Sequence, residues 1–298
     1  MQQDSISIDI PLGAPLDLRA TLQPATSVWG RWTDSGWLRP MRTPDGPATL
    51  LLHRRPAVVH AEAWGPGAAW IIDRAAAWAG LDDDPAAFTT DHPLVRELHR
   101  RQQGRRFCRT GLVFEAALAA VVSQKVTGKE AASGLRGLMR RFSDPAPGPF
   151  EGLLLPPEPA QLAAARYHDL HELGIERRRA ETVRVLAREA ARMERLSDAP
   201  SDRAARWLRS LPGVGVWTVA ETLAVSHGDA DALSVGDYHL RHLVVWHLTG
   251  RPRGTDEEMV ELLEPFRPHR GRVVRLLEAA GRYPAFGPRA PVRSFAGY

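Results

Sequence analysis

The spacing of hydrophobic positions changes near residue 66, and this change divides the chain into two parts. In the first part, short β-branched or alternating segments are separated by turn signals such as Pro11–Gly13 and Thr43–Gly46, a pattern typical of antiparallel strands. The segments are Ser5–Ile10, Leu16–Leu22, Thr49–His53 and Ala57–Ala63. We therefore predict a β-rich N-terminal domain over residues 1–66.

From residue 67 onward the apolar positions recur at helical spacing, so residues 67–298 are predicted to form a helical region. The predicted helices are Ala69–Leu81, His92–Gln103, Gly111–Gln124, Lys129–Phe142, Pro159–Ala165, Ile175–Leu196, Asp202–Ser210, Val216–Ser226, Tyr238–Leu248, Asp256–Leu263 and Arg272–Ala280. The segment from Tyr283 onward holds three prolines and two glycines and is predicted to be irregular. A β-rich unit followed by helices places the chain in the α+β class.

The composition is that of a globular protein, with 44% hydrophobic and 25% charged residues. The single cysteine, Cys108, excludes an intramolecular disulfide and a cysteine-ligated iron–sulfur cluster. No basic segment followed by an apolar run opens the chain, and no apolar run reaches the roughly 18 residues of a spanning helix. We therefore expect a cytoplasmic protein with no membrane partner. The net charge of +4 is compatible with an anionic partner.

One stretch carries the strongest candidate chemistry, the sequence Leu-Pro-Gly-Val-Gly-Val-Trp-Thr at 211–218 between two predicted helices. Its glycines allow backbone conformations that other residues avoid, and free amides at a helix start suit a phosphate. Asp237 follows after one helix and a loop, long enough to return its carboxylate to the same face. Two ordinary interpretations compete: a plain helix–turn–helix connection, and an N-cap role for Asp237.

The hairpin and the aspartate resemble the motif of the helix-hairpin-helix superfamily of DNA glycosylases, which combines this hairpin with a Gly/Pro-rich loop and a catalytic aspartate. The resemblance implies that Asp237 is catalytic and lies in a cleft between two helical subdomains. It assigns DNA contact to Pro212, Gly213, Val214, Gly215 and Thr218. It also implies a structural Na⁺ or K⁺ ion, which the backbone carbonyls of Arg209, Leu211 and Val214 would hold.

Trp217 bears on the reaction type, because bifunctional members of the superfamily have a lysine at this position that attacks C1′. Tryptophan cannot form that Schiff base, so the chain resembles the monofunctional bacterial branch of 3-methyladenine DNA glycosylase II. An electron-rich indole also stacks well on a cationic alkylated purine. The competing interpretation of Trp217 is an ordinary core residue of the second hairpin helix.

Four residues are assigned to the base pocket by the resemblance: Trp217, Glu221, Tyr238 and His269. Gln124 and Lys125 correspond to a loop that probes the minor groove and fills the gap left by a flipped nucleotide. Relatives usually place an apolar residue or glutamine where this chain has Lys125, which is a poor stacking plug. The competing interpretation of Gln124 and Lys125 is a solvated helix C-terminus, and that of His269 a surface or helix-start histidine.

The predicted function is excision of alkylated purines, of the 3-methyladenine type, from damaged double-stranded DNA by a monomer that needs no organic cofactor. Asp237 would stabilise the positive charge that develops on the deoxyribose and orient the attacking water. Two alternatives stay open. One is a monofunctional glycosylase for another lesion, hypoxanthine or an oxidised purine, which Glu221 favours. The other is a non-catalytic DNA-binding protein that keeps only the hairpin.

Overall fold

A computed structural model describes residues 4–283, and its N-terminal part is built on one five-stranded antiparallel sheet. The strands are β1 (Ser5–Pro11), β2 (Arg31–Thr33), β3 (Gly36–Thr43), β4 (Gly46–Arg54) and β5 (Val58–Trp64). Their order in the sheet is β1-β5-β4-β3-β2. The sheet followed by a helical bundle confirms the predicted α+β class.

The predicted strand Leu16–Leu22 is wrong, because this part of the chain begins the helix α1 (Leu18–Thr26). The Asp17 carboxylate caps the helix by accepting a hydrogen bond from the Ala20 amide at 2.9 Å. The buried positions Leu18, Leu22 and Ala25 recur every three or four residues, which is the helical period. A local cap and this period therefore outweigh the short alternation of leucines.

Strand β3 has no counterpart among the predicted strands, since nearly all of its residues are buried on both faces of the sheet. Trp37 on one face is fully buried, and its ring lies 5.8 Å from that of Trp78. Leu38 on the other face belongs to a separate apolar cluster with Leu153. Burial on both sides removes the alternation that identifies a half-exposed strand.

Thirteen further α-helices follow within residues 4–283. They are α2 (Ala68–Ile72), α3 (Ala75–Trp78), α4 (Pro93–Arg101), α5 (Val113–Val122), α6 (Gly128–Phe142), α7 (Pro159–Ala164), α8 (Tyr167–His171), α9 (Arg177–Glu194), α10 (Ser201–Arg209), α11 (Val216–Ser226), α12 (Leu240–Thr249), α13 (Asp256–Leu263) and α14 (Arg270–Ala279). The predicted helix Ala69–Leu81 is interrupted and forms α2 and α3, and α8 was not predicted. The predicted irregular segment beyond Tyr283 lies outside the described residues.

Helices α4 to α14 pack around two separate hydrophobic clusters, whereas α1, α2 and α3 pack with the sheet. One joins α5, α6, α9, α10 and α11, with Leu118, Leu138 and Leu186 at its centre. The other joins α4, α12, α13 and α14 through residues such as Leu243 and Met259. The connection from α11 to α12 passes from the first cluster to the second, and it carries Asp237. The domain boundary at residue 66 stays a prediction, and within the described chain no helix is long and apolar enough to cross a bilayer.

Candidate active site

The turn between α10 and α11 requires glycine at position 213. Gly213 has a φ of +84°, and a Cβ added there would lie 1.9 Å from the Thr182 hydroxyl of α9. The Val214 amide closes the turn by donating to the Leu211 carbonyl at 3.1 Å. Val214 is itself buried in the helical cluster. The turn is therefore pressed against α9, and a side chain at position 213 would push it away.

The outer side of this hairpin offers backbone amides to solvent. Gly213, Gly215 and Val216 are exposed and each has a backbone N–H, whereas the exposed Pro212 has none, and the first turn of α11 contains no acidic residue. The first amides of a helix have no intrahelical acceptor, and the helix dipole adds partial positive charge at this end. The start of α11 can therefore bind an anion. The assignment of Pro212, Gly213, Val214, Gly215 and Thr218 to DNA contact stays a prediction, and of these five Val214 and Thr218 are buried.

The predicted cation ligands are backbone carbonyls of the same turn. Among the described residues, no backbone amide donates to the carbonyl of Arg209 or Val214, whereas Leu211 accepts the Val214 amide. A carbonyl oxygen has two lone pairs, so Leu211 retains acceptor capacity. The three carbonyls fit the donor set of a monovalent cation, and the site stays a prediction.

Asp237 is held by three N–H donors in the connection before α12. One carboxylate oxygen, Oδ1, accepts from the backbone amides of His239 at 2.9 Å and Leu240 at 3.0 Å. The other, Oδ2, accepts from the Trp217 indole Nε1 at 3.3 Å. The N-cap residue of α12 is His239, so the N-cap interpretation of Asp237 is wrong. The Asp237 carboxylate instead accepts the amides of the N-cap and of the first helical residue, and it faces the hairpin at the same time.

Trp217 also borders a cavity of about 210 Å³. Trp217, Glu221 and Val225 are spaced by four residues, so they share one face of α11 and form one wall. The facing wall is formed by α5, and the N-terminal part of the chain closes the remaining side. Cavity-lining residues from these parts include Trp29, Arg39, Glu115, Ala119 and Ser123. Trp217 thus connects the cavity with the Asp237 carboxylate.

Glu221 places an ionisable group in this cavity. Burial raises the pKa of the Glu221 carboxyl, the hydrogen bond that it accepts from the Ser234 hydroxyl opposes the rise, and the negative charge of Asp237 adds to it. The residue keeps some exposed surface on the cavity side. The structure therefore brings Trp217, Glu221 and Asp237 together, and their roles in one active site stay a prediction.

Gln124 and Lys125 lie in the loop between α5 and α6, beside the hairpin. The Gln124 side-chain amide donates to the Gly213 carbonyl at 3.0 Å and to the Thr218 hydroxyl at 2.8 Å. Lys125 is exposed and has a φ of +54°, which is unfavourable for a residue with a Cβ. The Gln124 side chain thus stabilises the hairpin through two hydrogen bonds. A groove-probing role for Gln124 or Lys125 stays a prediction.

Tyr238 and His269 are not among the described residues that line the cavity. Tyr238 is 64% exposed next to Asp237, with its ring 4.9 Å from that of His239. The His269 ring lies 5.2 Å from Phe88 in the second helical cluster, and His269 Nδ1 accepts from Arg272 Nε at 3.4 Å. Tyr238 therefore lies on the surface beside Asp237, whereas His269 contacts Phe88 and Arg272. Their assignment to a base pocket stays a prediction.

The cavity also contains a buried ion pair that no sequence motif marks. Arg39 Nη2 donates to Glu115 Oε2 at 2.6 Å, and the two side chains are only 4% and 6% exposed. Arg39 Nη1 donates to the Pro40 carbonyl at 2.7 Å. The pair is separated by 76 positions along the chain. The one local signal is that each charge interrupts an otherwise apolar segment.

The fold and this arrangement correspond to a known class of DNA repair protein. The family described as HhH-GPD superfamily base excision DNA repair protein matches residues 118–268, a segment that contains the hairpin, Trp217, Glu221 and Asp237. The match covers half of the chain, and the chain belongs to this superfamily.

Individual relatives are similar to parts or all of the chain. A Mycobacterium tuberculosis protein named probable bifunctional transcriptional activator/DNA repair enzyme AlkA is 33% identical over 168 residues, which cover 54% of this chain. That segment spans only 33% of the relative's own length. The structure of a 3-methyladenine DNA glycosylase from Archaeoglobus fulgidus superposes with a TM-score of 0.72 at 19% identity, covering 91% of this chain and 97% of the other.

A Clostridium acetobutylicum 8-oxoguanine glycosylase/lyase superposes nearly as well, with a TM-score of 0.70 at 13% identity, covering 93% of this chain and 96% of the other. Two structural relatives whose names give different substrates thus share this architecture. The architecture alone therefore does not distinguish the damaged base, and the side chains of the site must do so.

Proposed function

We propose that this chain is a monofunctional DNA glycosylase that flips a damaged nucleotide out of duplex DNA and hydrolyses its N-glycosidic bond. Its substrates would be alkylated purines, and its products the free base and an abasic site. The observation that carries the proposal is the contact between Trp217 and Asp237, at 3.3 Å, on the border of a cavity. A base in the cavity and its sugar beside the carboxylate would place the scissile bond between them.

The residues of the site account for each part of the reaction. The C1′–N bond breaks with its electron pair leaving on the base, and positive charge develops on the deoxyribose. The Asp237 carboxylate stabilises this charge, and its three N–H donors keep it in one orientation without a reorganisation step. A water oxygen then bonds to C1′, and its proton passes to Asp237.

Trp217 supports hydrolysis without strand cleavage. A lyase reaction needs an amine that forms a Schiff base with C1′, and an indole cannot provide it. The indole instead forms a wall of the cavity, where it would stack on the flipped base. An alkylated purine that carries positive charge would gain a further cation–π attraction.

The hairpin supplies the contact with the DNA backbone. Exposed amides at the start of α11 would hold a phosphate beside the flipped nucleotide. A Na⁺ or K⁺ ion on the carbonyls of Arg209, Leu211 and Val214 would supply positive charge beside that phosphate. Lys125, exposed at the tip of its loop, would enter the groove or contact a further phosphate.

The decisive experiment replaces Asp237 with asparagine and measures bases released from methylated duplex DNA by mass spectrometry. Loss of one preorganised charge at a reacting centre typically costs about 10² to 10³ in rate, so 3-methyladenine release should fall by that factor. The matched control is Asp202→Asn, an exposed carboxylate that pairs with Arg206 within α10. Full release by the Asp237→Asn variant would contradict the mechanism.

A separate experiment tests whether the protein cleaves only the N-glycosidic bond and has no lyase activity. Borohydride traps a Schiff base as a covalent protein–DNA adduct, so the native protein should give none while it still forms abasic sites. A trapped adduct would show lyase chemistry from another amine. Abasic-site formation on damaged DNA would also exclude a protein that only binds DNA.

A different lesion is the second candidate for the substrate, and Glu221 is the observation that favours it. A carboxyl group in the cavity can accept a hydrogen bond from a donor on the base, which an apolar wall cannot do. Hypoxanthine and oxidised purines carry such donors. Competition among duplexes that each contain one defined lesion would separate the two substrate classes.

A further inference from the structure

Arg39, one of the residues that line the cavity, has a buried hydrogen-bond donor that the protein leaves unused. Arg39 is 3% exposed, and two of its guanidinium nitrogens are occupied by Glu115 and the Pro40 carbonyl. Its third nitrogen, Nε, has no hydrogen-bond partner among residues 4–283. A buried donor without an acceptor is costly, so a ligand in the cavity that brings an acceptor to Nε would be favoured.

Arg39 lies toward the end of the cavity that is far from Asp237. Helices α5 and α11 run antiparallel, because Gln124 contacts Thr218 at one end and the Thr110 amide donates to the Val225 carbonyl at the other. Trp217 and its contact with Asp237 are therefore level with the C-terminal end of α5. Glu115, which holds Arg39, is in the first turn of α5 at the opposite end.

This geometry decides which edge of a bound purine faces Arg39. The bond from C1′ to N9 must lie beside Asp237 for the proposed reaction to occur. The C6 substituent and N1 lie on the six-membered ring, on the side of the purine opposite N9. A base that enters past Trp217 therefore directs its C6 edge toward the inner end of the cavity.

We propose that Arg39 is a specificity-determining residue, whose Nε–H donates to the carbonyl oxygen at C6 of a guanine-type or hypoxanthine base. This inference rests on the proposed glycosylase function and adds to it a preference for purines with an oxygen at C6 over purines without one. Guanine presents O6 as an acceptor, whereas adenine presents an N6 amino donor. With an adenine-type base, the Nε–H of Arg39 would face the N6 amino group, which is also a donor, and Nε would have no acceptor there.

The Arg39–Glu115 ion pair makes this donor compatible with a methylated base. Glu115 neutralises the guanidinium, so a cationic base such as 7-methylguanine meets a neutral pair instead of an isolated positive charge. Glu115 Oε1 also accepts the Arg42 backbone amide at 3.3 Å, which ties the pair to strand β3. The guanidinium is thereby held in one orientation, as selection between two similar bases requires.

The first test uses the native protein and two duplexes, one with a single hypoxanthine and one with a single unsubstituted purine at the same position. The two bases differ at C6, where only hypoxanthine carries the oxygen, and at the adjacent N1, which carries a proton only in hypoxanthine. A lost hydrogen bond to a charged donor corresponds to roughly a tenfold to hundredfold change, so hypoxanthine should be released at least tenfold faster. Equal release would overturn the inference.

The second test replaces Arg39 with lysine, which keeps a positive charge for Glu115 and removes the Nε–H. The ratio of 7-methylguanine to 3-methyladenine released from one methylated duplex sample should fall about tenfold or more. The control is Arg42→Lys, the same exchange on the same strand, where the side chain binds Pro156 and Asp144 outside the cavity. An unchanged ratio in the Arg39→Lys variant would assign Nε to structural water and reject the inference.

The two levels of the proposal fail in different ways. If the native protein releases no damaged base from any substrate, the glycosylase function is wrong. If it releases alkylated bases but does not prefer hypoxanthine over unsubstituted purine, the function stands and the role of Arg39 is wrong. The native comparison also remains decisive when the Arg39→Lys variant does not fold.

Discussion

The hairpin and the inner end of the cavity lie at opposite ends of α11, and they are built in opposite ways. The hairpin is local: its turn, its free amides and its contact with Asp237 come from residues 209–240. The inner end is assembled from β3 and α5, through a buried ion pair separated by 76 positions. Reaction chemistry can thus come from a compact motif, while selectivity depends on how distant segments pack.

The largest expected effect is a loss of stability when the buried ion pair at the inner end of the cavity is broken. Replacing Arg39 with methionine leaves Glu115 buried and unpaired, which should lower the free energy of unfolding by about 3–5 kcal/mol. The double variant Arg39→Met, Glu115→Leu removes both charges and should recover most of the loss. Chemical denaturation of the two variants checks this, and a double variant no more stable than the single one would contradict it.

A second prediction concerns α5, which forms the wall opposite α11. The Glu194 carboxyl accepts the Val113 and Phe114 amides at the start of α5 at 3.1 and 2.9 Å. Burial raises its pKa to about 8, and these two amide bonds limit the rise. Between pH 4.5 and 8 the unfolded chain loses this proton while the folded chain keeps it. Stability therefore falls with rising pH across that window, by a few kcal/mol.

Glutamine at position 194 does not titrate, so the Glu194→Gln variant should lack this component. The measurement is the difference in unfolding free energy between the native protein and the variant, followed from pH 4.5 to pH 8. Histidines and other groups that titrate in the same window cancel in this difference. The exposed Glu181→Gln of the same helix is the control. A native-minus-variant difference that stays constant with pH would contradict the prediction.

The third prediction addresses the hairpin. Gly213→Ala introduces a Cβ at a φ of +84° and a clash with Thr182, which should cost about 2 kcal/mol and weaken DNA binding. Gly215→Ala is the matched control, because a Cβ there meets nothing within 4 Å and the backbone is extended. Thermal unfolding of both variants tests whether the stability of the turn depends on one glycine, and DNA titration of the Gly213→Ala variant against the native protein tests the loss of binding. Equal losses would show that it does not.

The parts of the fold that the sequence predicted are those governed by local interactions. Helices α11 and α13 were predicted at their observed bounds, since apolar periodicity and turns on either side mark their ends. The split of Ala69–Leu81 into α2 and α3 depends on packing against the sheet. The strand predicted at Leu16–Leu22 failed because a cap and a buried helical face were read as alternation.

The sequence by itself determined the hairpin, the nearness of Asp237 to Trp217 and the absence of a lysine nucleophile at that position. The first two depend on steric limits and hydrogen bonds within about one helix and its flanking turns, and the third is the identity of residue 217. Only the tertiary structure decided that β3 lies buried on both faces and that Arg39 meets Glu115 beside the cavity. Such contacts arise from burial between distant segments, where the free energy depends on every neighbouring side chain and no local pattern records the partner.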